Sequence, residues 1–586
     1  MNRDADGTCR EQGSRDWRMV PVAVTVWSAS LTGHGLFDAL TAGMSSEQTG
    51  RGSVRWPVVV LASVMTGIVV ALICTMVPAR RRQVWAAWTS VIGCAALVSI
   101  TSTWCADLMA WQDPVSARIR DGPVSAMVDA EVIGPVMMPD IRGVDCQADV
   151  AIRTASFDGM TVRSTTTVRL YAQDAGCTVL ERDARYRFVG TLESARFGMP
   201  DVWLTVSDGD TPELVSEPPW WARGRDAMQQ ALFRATDSLS YQGRMLVPGL
   251  TLGMLGSERY RGDGENDSID AGYAALLEER FRQSGIMHLM AVSGGHFVLV
   301  AAMVRRWCAM MLAHRYVVAV ATACAYLALA SLVYPSDSVT RALIMGLLGS
   351  AATALGRRAQ AMSALGWTIG IAIVVEPALS MSYGFGLSCA AVFGIVSCGP
   401  AVTQHLERLL PRPLAAAVGM TIAAQMFTLP IQILMEPAIP LMSIPANLIV
   451  APVVGLATMA GLGALLLSWL NAGIGMILTR LAASCTKVME ICAMWLGGDE
   501  RTTLPWMEGI PGALLSFIAE LMIIGVVHAL ERLREYHASR CHSKEHMGES
   551  WQSWRHRYDL IGLWFAQTPA VFDTWPDSPA HRKPRL

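Results

Sequence analysis

Charge is what this sequence has least of. Only 16% of its 586 residues are Asp, Glu, Lys or Arg, while 52% are hydrophobic. A soluble domain carries about a quarter charged residues, so this shortage excludes an ordinary soluble enzyme. Mean hydropathy is positive. Several apolar runs reach the roughly 20 residues that cross a hydrocarbon core. The chain therefore reads as a polytopic α-helical membrane protein, and its net charge of −2 identifies no partner. Nucleotide and metal signatures are missing too. The sequence holds no Walker A loop, no HExxH, no His-x-His-x-Asp-His run, no CxxC and no Cys/His zinc spacing. Ser293-Gly294-Gly295 is not a GxSxG elbow. Neither an ATP motor nor a hydrolase is expected, and neither cofactor nor metal. Cys541, His542 and His546 are too loosely spaced to read as a metal site.

What is present divides into five parts. Residues 1–110 hold a cytoplasmic start and about three apolar segments, near Met19–Phe37, Pro57–Val77 and Val84–Trp104. The first is weakened by Ser28, Ser30 and His34. The start carries both charge signs and is not expected to be a cleaved signal peptide. Arg80-Arg81-Arg82 should stay cytoplasmic, which places the N-terminus inside and everything after Trp104 outside.

Residues 112–217 change character. Five β-rich runs are expected: Val124–Ile133, Cys146–Phe157, Met160–Ala172, Ala184–Ser194 and Asp201–Ser207. An extracellular OB-like barrel is the simplest fit. The segment holds ten Arg, no Lys and seventeen Asp plus Glu, a net of −7. Phosphate binding needs positive potential, which only a cluster such as Arg163, Arg169, Arg185 and Arg187 could supply. Most of the thirteen cysteines lie in apolar runs and read as packing residues. Cys146 and Cys177, alone in the polar segment and outside the cell, are candidates for a disulfide.

Residues 218–283 read as an interfacial amphipathic helix led by Trp220 and Trp221, a short buried or re-entrant piece at Met245–Leu255, a polar loop, and a helix at Tyr273–Phe281. Residues 284–530 follow as closely spaced apolar segments. Their Arg-bearing loops alternate, which gives about twelve crossings in all and a cytoplasmic tail at 531–586, partly disordered.

The organising stretch is Ser284-Gly285-Ile286-Met287-His288-Leu289-Met290-Ala291-Val292-Ser293-Gly294-Gly295-His296-Phe297. Polar side chains at membrane depth are costly and ask for a functional reason. If the stretch is one helix from 284 to 303, Ser284/His288 and Ser293/His296 share faces, and His288 and His296 stand about 80° apart. Gly294-Gly295 would loosen or kink it. The stretch reads as a polar pathway lining or as two histidines bonded to backbone carbonyls. Arg341, near the start of its segment, must snorkel, pair with an acid or face water. Gly384 and Gly386 open another helix with close packing. Asn447, between Pro445 and Pro452, suggests a broken or re-entrant helix.

In order, these elements closely resemble those of the ComEC family of DNA-uptake channels. The opening stretch matches a pattern near SGxxHLLAISGLHV. Arg341-Ala342-Leu343-Ile344-Met345, Gly384-Phe385-Gly386-Leu387-Ser388 and Pro445-Ala446-Asn447 follow in the same sequence, and the resemblance spans about residues 20–530. It implies a multi-pass protein of the bacterial plasma membrane that passes single-stranded DNA inward. His288, Ser293, His296, Arg341 and Asn447 would then lie along or support the path. It implies membrane lipid, a separate DNA receptor, nuclease and cytoplasmic ATPase as partners, and leaves room for a homo-oligomer. Gly295 departs from the family's usual leucine. A metallo-β-lactamase-like domain carried by many members is not expected here, where a short tail follows the apolar segments. Two other classes remain: a small-solute transporter, and an intramembrane hydrolase using Ser293 with His296 or His288, for which no third acid is near.

Overall fold

The computed structural model describes residues 16–42 and 82–542. Excepted are residues 142, 158, 174, 196–199, 208–210, 261–269, 291, 358–359 and 499–501, and the side chains of 42, 82–87, 175, 524 and 527–542. The expected segment Pro57–Val77, with Arg80 and Arg81, lies outside the described residues.

Among the described residues the fold begins with α1 (Met19–Ala42) and α2 (Arg82–Gln112), both longer than the apolar runs that mark them. The polar residues that weaken α1 in sequence find partners within the protein. Ser30 shares hydrogen bonds with Thr103 of α2 (2.9 Å) and Ser380 (3.0 Å). His34 bonds Asp107 of α2 at 2.8 Å and the Pro377 carbonyl at 3.2 Å. Buried polar groups are tolerable when so satisfied, and these tie α1 to α2 and to the 377–381 turn.

After a short helix α3 (Pro114–Ile119), seven strands follow: β1 (Val124–Val132), β2 (Cys146–Phe157), β3 (Met160–Arg163), β4 (Thr167–Ala172), β5 (Arg185–Ser194), β6 (Val202–Val206) and β7 (Glu213–Ser216). The order β1-β2-β4-β6-β5 closes through a β1–β5 pairing, with β4–β6 parallel and the other ladders of the ring antiparallel. The result is a small closed barrel. Alternation along β1 and β5 points Val128, Phe188 and Leu192 into its core, as period-2 strands require, where they join Ile152 of β2, Leu170 of β4 and Leu204 of β6.

The single run expected at Met160–Ala172 divides in two. Asp113 accepts hydrogen bonds from the Ser164 hydroxyl and the Thr165 amide, 2.9 and 3.1 Å, and draws that backbone out of the ladder. β7 was not expected. Cys146 and Cys177 form a disulfide, joining the start of β2 to the helical turn after β4.

Helix α4 (Trp220–Asp237) leaves Trp220 79% and Trp221 50% exposed. Its buried Arg225 pairs with Asp226 beside it on the helix and with Asp183 on the barrel, both at 2.7 Å, and the second pair anchors one unit to the other. Helix α5 (Tyr241–Leu252) is buried from Gln242 to Leu252. At about 18 Å it is too short to span. Helix α6 (Ala271–Gln283) leads into the motif.

The remaining helices are α7 (Gly294–Met310), α8 (Arg315–Leu332), α9 (Asp337–Ala354), α10 (Ala361–Val375), α11 (Tyr383–Ser397), α12 (Gly399–Leu406), α13 (Arg412–Met435), α14 (Ser443–Leu467), α15 (Ala472–Leu496) and α16 (Gly509–His542). A two-stranded ladder pairs β8 (Ala438–Pro440) with β9 (Thr503–Pro505). Helix α16 continues to His542, so the first part of the expected tail is helical.

Among the described residues, four helices are long and apolar enough to cross a membrane: 88–112 of α2, α8, α13 and α14. The bent pair α11/α12, at 51°, makes a fifth if it is one span. The protein is thus mostly helical, with apolar spans and one small barrel.

Two expectations are corrected. Residues 284–303 are not one helix: Ser284 caps α6, a single 3₁₀ turn covers Met287–Leu289, and α7 starts only at Gly294. Gly285 sits at φ +71°, a left-handed conformation that ends a helix. The stretch at 441–468 is not broken or re-entrant. Helix α14 runs through both Pro445 and Pro452. Pro445 lies in the first turn, where its missing N–H has no acceptor to lose.

Candidate functional site

The three motifs of the helical region meet around α7. Its N-terminus starts at Gly294, and the Arg341 guanidinium of α9 lies directly against that glycine. A Cβ added at Gly294 would stand 2.9 Å from Arg341 Nη2. Glycine is the residue that permits this approach. From the other side, Arg341 Nε donates to Ser388 Oγ of α11 at 2.6 Å. The motif at 293–296, Arg341 and Gly384–Ser388 therefore share one contact point.

Arg341 is only 5% exposed, and none of the described residues pairs it with a carboxylate. Asp337 stands one turn earlier on the same helix, where an i,i+4 ion pair is geometrically available. Its carboxylate instead accepts the Ser382 hydroxyl at the start of α11. The same carboxylate needs Gly384, because a Cβ there would approach Asp337 Oδ2 to 2.7 Å. Ser338 and Ser388 add a 3.2 Å hydrogen bond between α9 and α11. A Cβ at Gly386 would meet only Ile431 and Trp27, at 3.9 Å, an ordinary contact distance.

His296 is buried at 3% exposure and has a fastening role. The Ser293 backbone N–H donates to its Nδ1 at 3.2 Å, which leaves the proton on Nε2. Nε2 then donates to the Leu250 carbonyl at 2.7 Å. Leu250 lies in the last turn of α5, whose carbonyls find no N–H donors within the helix. A second one, Leu252, is taken by the Tyr334 amide at 2.8 Å. His296 thus closes the end of a buried helix while starting its own.

This geometry bears on a serine–histidine pair. Ser293 Oγ lies 3.5 Å from His296 Nδ1, but the lone pair a general base needs already receives the Ser293 amide. His288 lies in the 3₁₀ turn and is exposed. It is not brought onto a shared helical face with Ser284, which is buried and donates to the Phe281 carbonyl at 3.1 Å.

Asn447 belongs to a neighbouring cluster. Its side-chain amide donates to the Ser443 carbonyl at 2.9 Å, and Ser443 Oγ donates to Gln425 of α13 at 2.9 Å. Gly285 packs onto the same place, where a Cβ would meet Ser443 Cβ at 2.6 Å and Pro440 at 3.1 Å. The first half of the motif therefore rests on α14, and the second half reaches Arg341. Pro445 is exposed at the outer edge of this cluster. Because Gly285 combines positive φ with that contact, Gly285→Ala should cost about 1–3 kcal/mol. A melting curve of the purified variant matching wild type would refute this.

Sequence reasoning passed over Ser388, Gln425, Ser443 and the Leu250 carbonyl. Ser388 lay inside a quoted motif, but nothing in one chain says that a serine on α11 faces an arginine on α9. A backbone carbonyl carries no sequence signal at all.

On the barrel, the arginines proposed for phosphate binding are largely engaged. Arg169 pairs with Asp149 and Asp140, Arg185 with Glu131, and Arg187 with Asp129 and Glu213, all at 2.8–3.4 Å. Arg163 is exposed at the end of β3. Burial, then the neighbouring Asp140, pushes the Tyr171 phenol up from its ordinary pKa.

A family model described as Competence protein matches residues 271–531, from the start of α6 through most of α16. No curated protein and no solved structure matches the chain significantly.

Proposed function

From membership of the competence-protein family, carried by residues 271–531 and implying involvement in DNA uptake, we propose that this chain is the membrane channel that admits single-stranded DNA during natural transformation. The observation that carries the reading is Arg341: a buried cation, with no carboxylate partner among the described residues, at the junction of three motifs. A transported phosphate backbone is the kind of partner such a charge lacks. On this reading about twelve helices cross the bacterial plasma membrane, both termini are cytoplasmic, and the barrel is extracellular.

The barrel's strand order fits an OB-like fold, and its disulfide fits an oxidising compartment. Its ion-paired arginines leave little free positive surface, so the barrel is read here as a support or docking element rather than the DNA-binding groove. On this reading the driving force comes from another protein. We read no hydrolytic centre in the Ser293–His296 pair, because His296 Nδ1 is already occupied.

The test is uptake of labelled DNA by a strain deleted for this gene and complemented with it. Label should reach the cytoplasm only in the complemented strain. Equal cytoplasmic label in both strains would sink the proposal.

A further inference from the structure

The start of α7 and the Arg341 guanidinium place two positive potentials side by side. The amides of Gly294 and Gly295, at the first two helical positions, have no acceptor one turn back. The helix dipole adds partial positive charge there. An acid would be the ordinary neighbour of a helix start. Here the neighbour is a cation that is 5% exposed, and its Nη2 has no hydrogen-bond partner among the described residues. Asp337, the nearest acid along α9, is turned to Ser382. Gly294 is what lets the guanidinium reach the helix end, and Gly295 beside it is exposed.

Resting on the DNA-import reading, we infer that this junction is a phosphodiester-holding subsite. The Arg341 guanidinium and the Gly294 and Gly295 amides would together take one phosphate of the passing strand. Helix starts bind phosphate in this way when backbone amides and the dipole act together, and a guanidinium is the side chain best matched to phosphate oxygens. His296 is not among the ligands, since its Nε2–H is committed to Leu250. Ser388 positions Arg341 by holding Nε, and Nη1 faces the Met345 sulfur at 3.9 Å, which leaves Nη2 for the anion.

The full chain, purified in a phosphate-free maltoside detergent, is titrated with a fluorescent single-stranded oligonucleotide across a salt series. Each phosphate contact contributes about 0.7 to the slope of log affinity against log salt for single strands, or about fivefold in affinity at 0.1 M salt. Arg341→Gln is expected to lower the slope by about 0.7. Gly294→Ala should do the same while keeping the charge, because its Cβ displaces Nη2. Gly349→Ala, at an open position on α9, serves as the folded control and should leave the slope unchanged.

Wild type that binds with a steep slope, unchanged in both subsite variants, overturns the subsite and leaves DNA import standing. Wild type without salt-dependent binding overturns both. Added phosphatidylglycerol separates the remaining source of phosphate. If the variants lose sensitivity to that lipid but keep the oligonucleotide slope, a headgroup occupies the site and the DNA assignment is overturned.

Discussion

Arg341→Ala is expected to reduce transformation to the level of a deletion strain while the protein still inserts and folds. The reason lies in the opposed demands on this residue. A buried, unpaired ion costs several kcal/mol even after relaxation, and Arg341 is 5% exposed with no carboxylate partner among the described residues. Removing it should therefore leave the melting temperature unchanged or raised.

Ser388→Ala should show the reverse pattern. It keeps the charge but removes the 2.6 Å hydrogen bond to Nε, at a cost of about 1–3 kcal/mol for an unsatisfied buried donor. Stability should fall while much of the uptake is retained. Transformation frequency and thermal melting, measured on both variants, separate the charge from the packing. Normal transformation by Arg341→Ala would remove this residue from the path.

Loss of the Cys146–Cys177 disulfide should have the largest effect on stability. The bridge closes a sequence separation of 31 residues, for which chain entropy suggests about 3.5 kcal/mol. In a domain of about a hundred residues, that corresponds to a fall of about 15–25 °C in the barrel's melting transition. The bond pins the start of β2 to the turn after β4, and β2 is central to the barrel, pairing with β1, β3 and β4. Reductant, or Cys146→Ser with Cys177→Ser, should lower that transition and expose the barrel to protease before the helical region. A transition insensitive to reductant would show that the bridge contributes no such constraint.

Much of the architecture was legible from the residues. The alternation of Val124–Val132 and of Cys146–Phe157 announces strands, because each buries every second side chain. The amphipathic helix led by Trp220 and Trp221 and the buried piece near Met245 were equally readable. The motif itself was misread as a helix. Apolar periodicity cannot detect that Gly285 takes a left-handed turn against Ser443, nor that α5 ends nearby with carbonyls needing donors. Asn447 was misread in the opposite sense. Prolines suggested a broken helix, but Pro445 falls where its missing amide costs nothing.

The sequence by itself determined the scarcity of charge, the apolar spans, the β-rich insertion, and an order of motifs that resembles a known family's. These follow from local composition and period, which each residue carries alone. Only the tertiary structure decided what the polar residues of the motif do. His296 became a fastener because the Leu250 carbonyl, 46 positions earlier, lies 2.7 Å from its ring. Arg341 became the candidate binding residue because three distant segments converge on it and no acid among the described residues does. The cost of a buried charge depends on its neighbours in space, and those neighbours are set by packing rather than by order along the chain.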